Sequence, residues 1–141
     1  MRLYEMNNDQ EFNASILDAT KALTDLRNGT KFLVWHHMIG CGHCIHMKDE
    51  WKKAKEQLNA EKNLHVIELE FKQLTNLKAH HGGHPLAVFG SQVNGFPHVQ
   101  LVNVKDGRFH ITPYEYWYQS NAHKGLHRSA KSFVNFVKHC N

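Results

Sequence analysis

A chain of 141 residues is long enough to bury one hydrophobic core and short enough that a second domain is not expected. Its formal net charge of +4, with Lys and Arg scattered rather than clustered, argues for a solvated surface and against nucleic acid as a partner. It has no run of about 18 apolar residues, so no transmembrane helix is expected, and three cysteines are too few for a disulfide scaffold.

A first strand is expected at about residues 3–6. Asn8, followed by Glu11, has the spacing of a capping box. Phe12, Ile16, Ala19, Leu23 and Leu26 then form one apolar stripe of a helix that Asn28-Gly29 should stop. Residues 31–35, Lys-Phe-Leu-Val-Trp, read as a buried strand. Cys44, Met47, Trp51, Ala54 and Leu58 recur at intervals of 3, 4, 3 and 4, which is one face of a helix. Residues 64–71 read as another strand, and a short helix through Leu74 and Leu77 should end at Gly82-Gly83-His84-Pro85. Strands at 99–104 and 109–111 flank Lys105-Asp106-Gly107-Arg108, a hairpin turn. A last helix at 129–138 should turn Ala130, Phe133, Val134 and Val137 inward. No repeat or linker interrupts this order, so residues 1–141 are expected to form a single α/β domain.

Cys41-Gly42-His43-Cys44 lies where the strand at 31–35 gives way to a helix. Two cysteines three apart at a helix N-terminus can approach one point, and the exposed N–H groups there favour a thiolate. That is what a dithiol–disulfide switch requires. The same segment permits another reading, metal binding, because His36, His37, Cys41, Cys44 and His46 lie close together and thiolate with imidazole suits zinc. Strand alternation, however, sends His36 and His37 to opposite faces, and helical geometry turns His46 away from Cys44. His80, His81 and His84 read as a solvated cluster or an adventitious metal site. A third reading is a redox-inactive adaptor.

Residues 32–51, FLVWHHMIGCGHCIHMKDEW, resemble the active-site segment of the thioredoxin superfamily, and Gly42-His43 between the cysteines is similar to protein disulfide isomerase domains in particular. Val93-Asn94-Gly95-Phe96-Pro97 resembles the cis-proline loop that faces the two cysteines, and residues 125–137, GLHRSAKSFVNFV, resemble the approach to the last helix. The resemblance implies a thioredoxin-like fold: a central mixed β-sheet flanked by helices, with the active site at the start of the second helix. It also implies thiol–disulfide exchange on cysteine-containing proteins, with Cys41 as the exposed attacking thiolate and Cys44 as the shielded resolving thiol. His43, when protonated, would favour the Cys41 thiolate and make the couple more oxidising than a Gly-Pro dipeptide would. Gly95, Phe96 and Pro97 would bind an extended substrate segment, Phe96 pairing with its backbone.

Departures from the family pattern bear on rate rather than reaction class. Trp35 stands where relatives carry a buried carboxylate that shuttles the proton of the second thiol. Glu68 falls where they often place a lysine, and either replaces the missing base or is a surface glutamate paired with water. Arg128 falls where disulfide isomerase domains bring an arginine toward the second cysteine. Gly40 replaces a tryptophan. The electrons reside on Cys41 and Cys44, so no cofactor is expected. The expected partners are protein substrates and a redox-recycling protein, with the chain a monomer. A cytoplasmic location is the default, since the first residues lack the apolar region of a secretory signal, and a processed secreted chain would begin in the same way. Cys140 is expected at a frayed chain end, outside the catalytic cycle. Residues 80–92 and 112–124 exceed a minimal plan; the latter carries Tyr114, Tyr116, Trp117 and Tyr118 and is expected to fold back over the sheet as a local plug.

Overall fold

Strands covered on both faces are buried along nearly their whole length, and that is the character of β2 (Lys31–His37), β3 (Leu64–Glu70) and β4 (His98–Lys105), although β3 and β4 carry polar residues among the apolar ones. In the computed structural model, which describes residues 1–121 and 124–141, they form the middle of a five-stranded sheet ordered β1-β3-β2-β4-β5. The edges are β1 (Arg2–Met6) and β5 (Arg108–Pro113), whose burial is partial or alternating. β1 and β2 run parallel to β3, whereas β4 is antiparallel to β2 and β5. Asp106 and Gly107 both take positive φ in the β4–β5 turn, as a tight two-residue hairpin requires.

Each face of the sheet has its own core. On one, Leu33, Trp35, Val66 and Leu101 meet α2 (Gly42–Leu58), α5 (Tyr114–Ser120) and α6 (Ala130–His139). On the other, Phe32, Val34, Ile67 and Val102 meet α1 (Asp9–Thr24), α3 (Phe71–His80) and α4 (Pro85–Phe89). The stripe Cys44, Met47, Trp51, Ala54, Leu58 is the buried face of α2. Among the described residues no helix is long and apolar enough to cross a membrane.

Several local expectations are corrected. Helix α1 ends at Thr24, not at Gly29, because Asp25 is already extended (φ −90°); Leu26 lies beyond the helix, 40% exposed. Gly29 (φ +88°) instead shapes the turn into β2, donating its N–H to the Val104 carbonyl at 3.1 Å. Asn8 Oδ1 caps the Glu11 N–H at 2.8 Å, but the Glu11 carboxylate accepts from the Asn7 N–H at 3.0 Å, one residue earlier than in a capping box. Phe71 leaves β3 to begin α3 because Glu70 caps that helix through the Lys72 N–H. Gly82-Gly83-His84-Pro85 starts an element as well as ending one: His84 Nδ1 accepts the Leu86 N–H at 3.1 Å and Pro85 occupies the first turn of α4.

Within the 112–124 stretch the aromatic residues lie on a helix, α5 (Tyr114–Ser120), rather than in a loop; residues 122 and 123 lie outside the described residues. Tyr114 and Trp117 are buried against Phe136, so this helix does cover the sheet. In α6 the buried residues are Ala130, Ser132, Phe133, Phe136 and Val137, with Val134 only partly buried. The chain end is not frayed at Cys140. That residue is 5% exposed in the same core cluster as α2, and its carbonyl accepts the Asn103 side-chain N–H at 3.3 Å.

Candidate redox site

The first turn of α2 carries no acidic residue, leaving its unpaired N–H groups to the residue that precedes it. That residue is Cys41. It occupies the N-cap with φ −76° and ψ 114°, and its Sγ accepts the Cys44 N–H at 3.2 Å. Gly40 enters the turn at φ +83°, a conformation that a tryptophan would hold only under strain. Cys41 and Cys44 are joined as a disulfide, their Cα atoms 5.2 Å apart. The two sulfurs are not equivalent: Cys41 is partly exposed, whereas Cys44 is 5% exposed within the core. Gly42 and His43 lie exposed between them.

The proline loop reaches the same end of the sheet because β4 runs antiparallel to β2, with His36 opposite His98. The Phe96–Pro97 peptide is cis. Pro97 is buried, Gly95 exposed, and Phe96 half-buried against the core cluster that Cys41 also touches. Phe96 meets the exposed Phe71 edge to face at 5.4 Å.

Beneath the cysteines lies a polar network in an otherwise apolar core. Glu68 is on the β3 face that looks toward α2, opposite Trp35 in register. It is 4% exposed, so it is not a surface glutamate. Its carboxylate accepts from Trp51 Nε1 at 2.8 Å, Lys55 Nζ at 2.6 Å and Asn7 Nδ2 at 3.2 Å. Burial pushes its pKa up, but the Lys55 and Trp51 hydrogen bonds, the Lys55 charge and the Asn7 bond outweigh it, so the net shift is downward. Asn7 in turn lies 2.6 Å from His37 Nε2, and His37 stacks on Trp35 with ring centroids 4.4 Å apart. Trp35, His37, Cys44, Trp51, Lys55 and Glu68 all line one cavity of about 660 Å³.

No known family model matches the chain, and no curated protein matches it in sequence. Solved structures do match. The Trx4 domain of ERdj5 superposes with a TM-score of 0.54 at 12% identity, over 96% of this chain and 94% of that one. The first thioredoxin domain of mouse protein disulfide-isomerase A4 gives 0.53 at 16%, over 95% and 71%. The fold is thioredoxin-like. The J-Trx1 fragment of ERdj5 gives 0.50 at 17%, over 96% of this chain but 50% of that one, so the chain spans half the length of that fragment. At these identities the likeness is one of fold.

Against the thioredoxin-like pattern, Arg128 is committed elsewhere. Its guanidinium pairs with Glu115 at 3.3 Å, and its N–H donates to the Tyr114 hydroxyl at 2.9 Å. Its backbone sits at φ +57°, which follows from the aromatic helix α5 holding the 125–129 turn. Arg128 does line a groove of about 310 Å³ with His43 and His46. The candidate metal ligands diverge. His36 faces Gln100 and His37 faces Asn7, His46 is exposed, and among the described residues no three His, Cys, Asp or Glu side chains are grouped to hold a metal.

Sequence reasoning reached the cysteines and Glu68 but gave Asn7, Lys55 and His37 no redox role. A partial signal existed: a glutamate within an apolar strand needs buried donors, and Trp51, on the inward face of α2, is one. Nothing in the sequence marks Asn7.

Proposed function

We propose that this protein is a thiol–disulfide oxidoreductase acting on cysteine-containing protein substrates through the Cys41–Cys44 pair. The observation that carries the reading is the asymmetry of the pair. Cys41 caps a helix with its sulfur on an N–H and in part toward solvent, while Cys44 is shielded one turn in. In the reducing direction the Cys41 thiolate attacks a substrate disulfide, forming a mixed disulfide and releasing one substrate thiolate. Cys44 then attacks the Cys41 sulfur, the Cys41–substrate bond breaks, and the second substrate thiol leaves. Two electrons pass to the substrate and Cys41–Cys44 is oxidised. The oxidising direction is the reverse.

The helix N-terminus stabilises negative charge on Cys41 both as nucleophile and as leaving group. Exposed Ile39, Ile45 and Phe71, 79%, 64% and 43% accessible, flank the cysteines and the proline loop and suit an apolar, extended substrate segment pairing with Phe96. A recycling partner would reset the pair. Cys41→Ser should abolish exchange, and Cys44→Ser should accumulate mixed disulfides with protein substrates. Equal alkylation of both reduced thiols by iodoacetamide in the folded protein would contradict the assignment. Thiol titration before and after dithiothreitol, with bound-metal analysis, distinguishes the alternatives: two thiols appearing with no metal selects the oxidoreductase over a metal site or an inert adaptor.

A further inference from the structure

We infer that His37 accepts the proton of the Cys44 thiol when Cys44 resolves the mixed disulfide, and that Asn7 and Glu68 hold the ring in the tautomer that can do so. This rests on the oxidoreductase reading. A buried thiol must shed its proton before it attacks, and Trp35, which faces that position from β2, has no basic atom. Glu68 lines the cavity with Cys44 but is occupied by three donors, Trp51, Lys55 and Asn7, and its lowered pKa makes it a weak base at neutral pH. Glu5 and Asp49, which also line the cavity, are exposed carboxylates.

His37 is placed differently. An ionised carboxylate can only accept, so the Asn7 amide must present Nδ2 to Glu68. Its Oδ1 is thereby turned toward His37 Nε2, 2.6 Å away, and Nε2 must carry the ring proton. In the neutral imidazole the lone pair is then on Nδ1. The stack on Trp35 fixes the ring plane, and His37 and Cys44 line the same solvent-open cavity, whose size admits a bridging water and whose polar side chains include Asn7, Lys48 and Glu68.

The groups around the ring agree with a base that is neutral at pH 7. Burial pushes its pKa below the usual histidine value; Glu68 and Glu70 on β3 oppose this, Lys48 on α2 adds to it, and Glu11 on α1 opposes it. Proton transfer is efficient when donor and acceptor pKa values lie near the working pH. The proton goes from Cys44 Sγ through water to His37 Nδ1, the Cys44 thiolate displaces the substrate thiolate from Cys41, and the imidazolium returns its proton to solvent. Electrons move only among the sulfurs.

The test is stopped-flow reaction of the reduced protein with excess dithiobis(nitrobenzoate), which separates attack from resolution. The first nitrothiobenzoate marks attack by Cys41 and the second marks resolution by Cys44; Cys44→Ser, losing the second phase, assigns them. His37→Phe should lower the ratio of second-phase to first-phase rate at least tenfold at pH 7. It should also replace a rate that levels off above the His37 titration with one that keeps rising with hydroxide. Asn7→Leu, which keeps the imidazole but frees its tautomer, should slow resolution severalfold and serves where His37→Phe does not fold. Imidazole added to His37→Ala should restore the second phase. An unchanged rate ratio and pH profile in any folded variant would overturn the role of His37. Absence of a first phase in the unmodified protein would instead overturn the oxidoreductase reading.

Discussion

Acidification should weaken this fold through His36, and the size of the effect follows from its surroundings. The ring is 0% exposed in the middle of the sheet. Gln100 donates its Nε2–H to the Phe89 carbonyl at 3.2 Å, so its Oε1 faces His36 Nε2, 2.8 Å away. Nε2 therefore carries the proton, and Nδ1 is buried with no partner among the described residues. A second proton would place an unpaired cationic N–H in the core. Burial, despite the Gln100 hydrogen bond and with help from His98, Lys78 and His37, pushes the pKa from 6.5 to about 4. Between those values the unfolded chain binds a proton that the folded chain refuses. Stability is thus full above pH 6.5 and falls as pH drops toward about 4. The difference corresponds to about 3 kcal/mol when fully developed. Urea denaturation from pH 7.5 to 4, run on the protein and on His36→Phe, measures it. The variant loses a constant amount from the stranded Gln100 oxygen, about 1–3 kcal/mol, and its deficit should shrink by about 3 kcal/mol as the parent loses stability in acid. His37, His65, His84 and His98, also lowered by burial, remain in both chains and cancel to first order. A deficit constant with pH would refute the reasoning.

Replacing His43 with Pro should make the Cys41–Cys44 couple more reducing by tens of millivolts, about 30 mV being 1.4 kcal/mol; equilibration with glutathione measures it, and an unchanged potential would leave the helix terminus alone in control. Gly90→Ala should destabilise by about 1–3 kcal/mol, because its Cβ would sit 2.5 Å from Leu74 Cδ1; a melting temperature equal to the parent's would show that Leu74 yields freely. Cys140→Ser should lower stability by about 1–3 kcal/mol by burying a hydroxyl without an assured partner, yet leave turnover in insulin reduction within a few-fold, and a tenfold loss of turnover in folded protein would bring the C-terminus into the mechanism.

What the sequence determined by itself is local in origin. The 3-4-3-4 recurrence from Cys44 to Leu58 set the buried face of α2, because helical periodicity needs no knowledge of the partner surface. The CGHC segment, bounded by an apolar strand and that helix, placed the cysteine pair at a helix start for the same reason. Helix α4 and the true end of α1 were illegible, since each depends on a particular cap: His84 on the Leu86 N–H, and an extended Asp25 where a glycine signal lay further on. Cys140 reads from sequence as a loose end, and only the packing of α6 on the sheet buries it. The polar network required the tertiary structure entirely. Asn7, His37, Glu68 and Lys55 come from four separate segments, and parallel pairing of β3 with both β1 and β2 brings three of those segments side by side beneath α2. A buried carboxylate must find donors wherever the fold supplies them, and no spacing along the chain announces a partner sixty residues away.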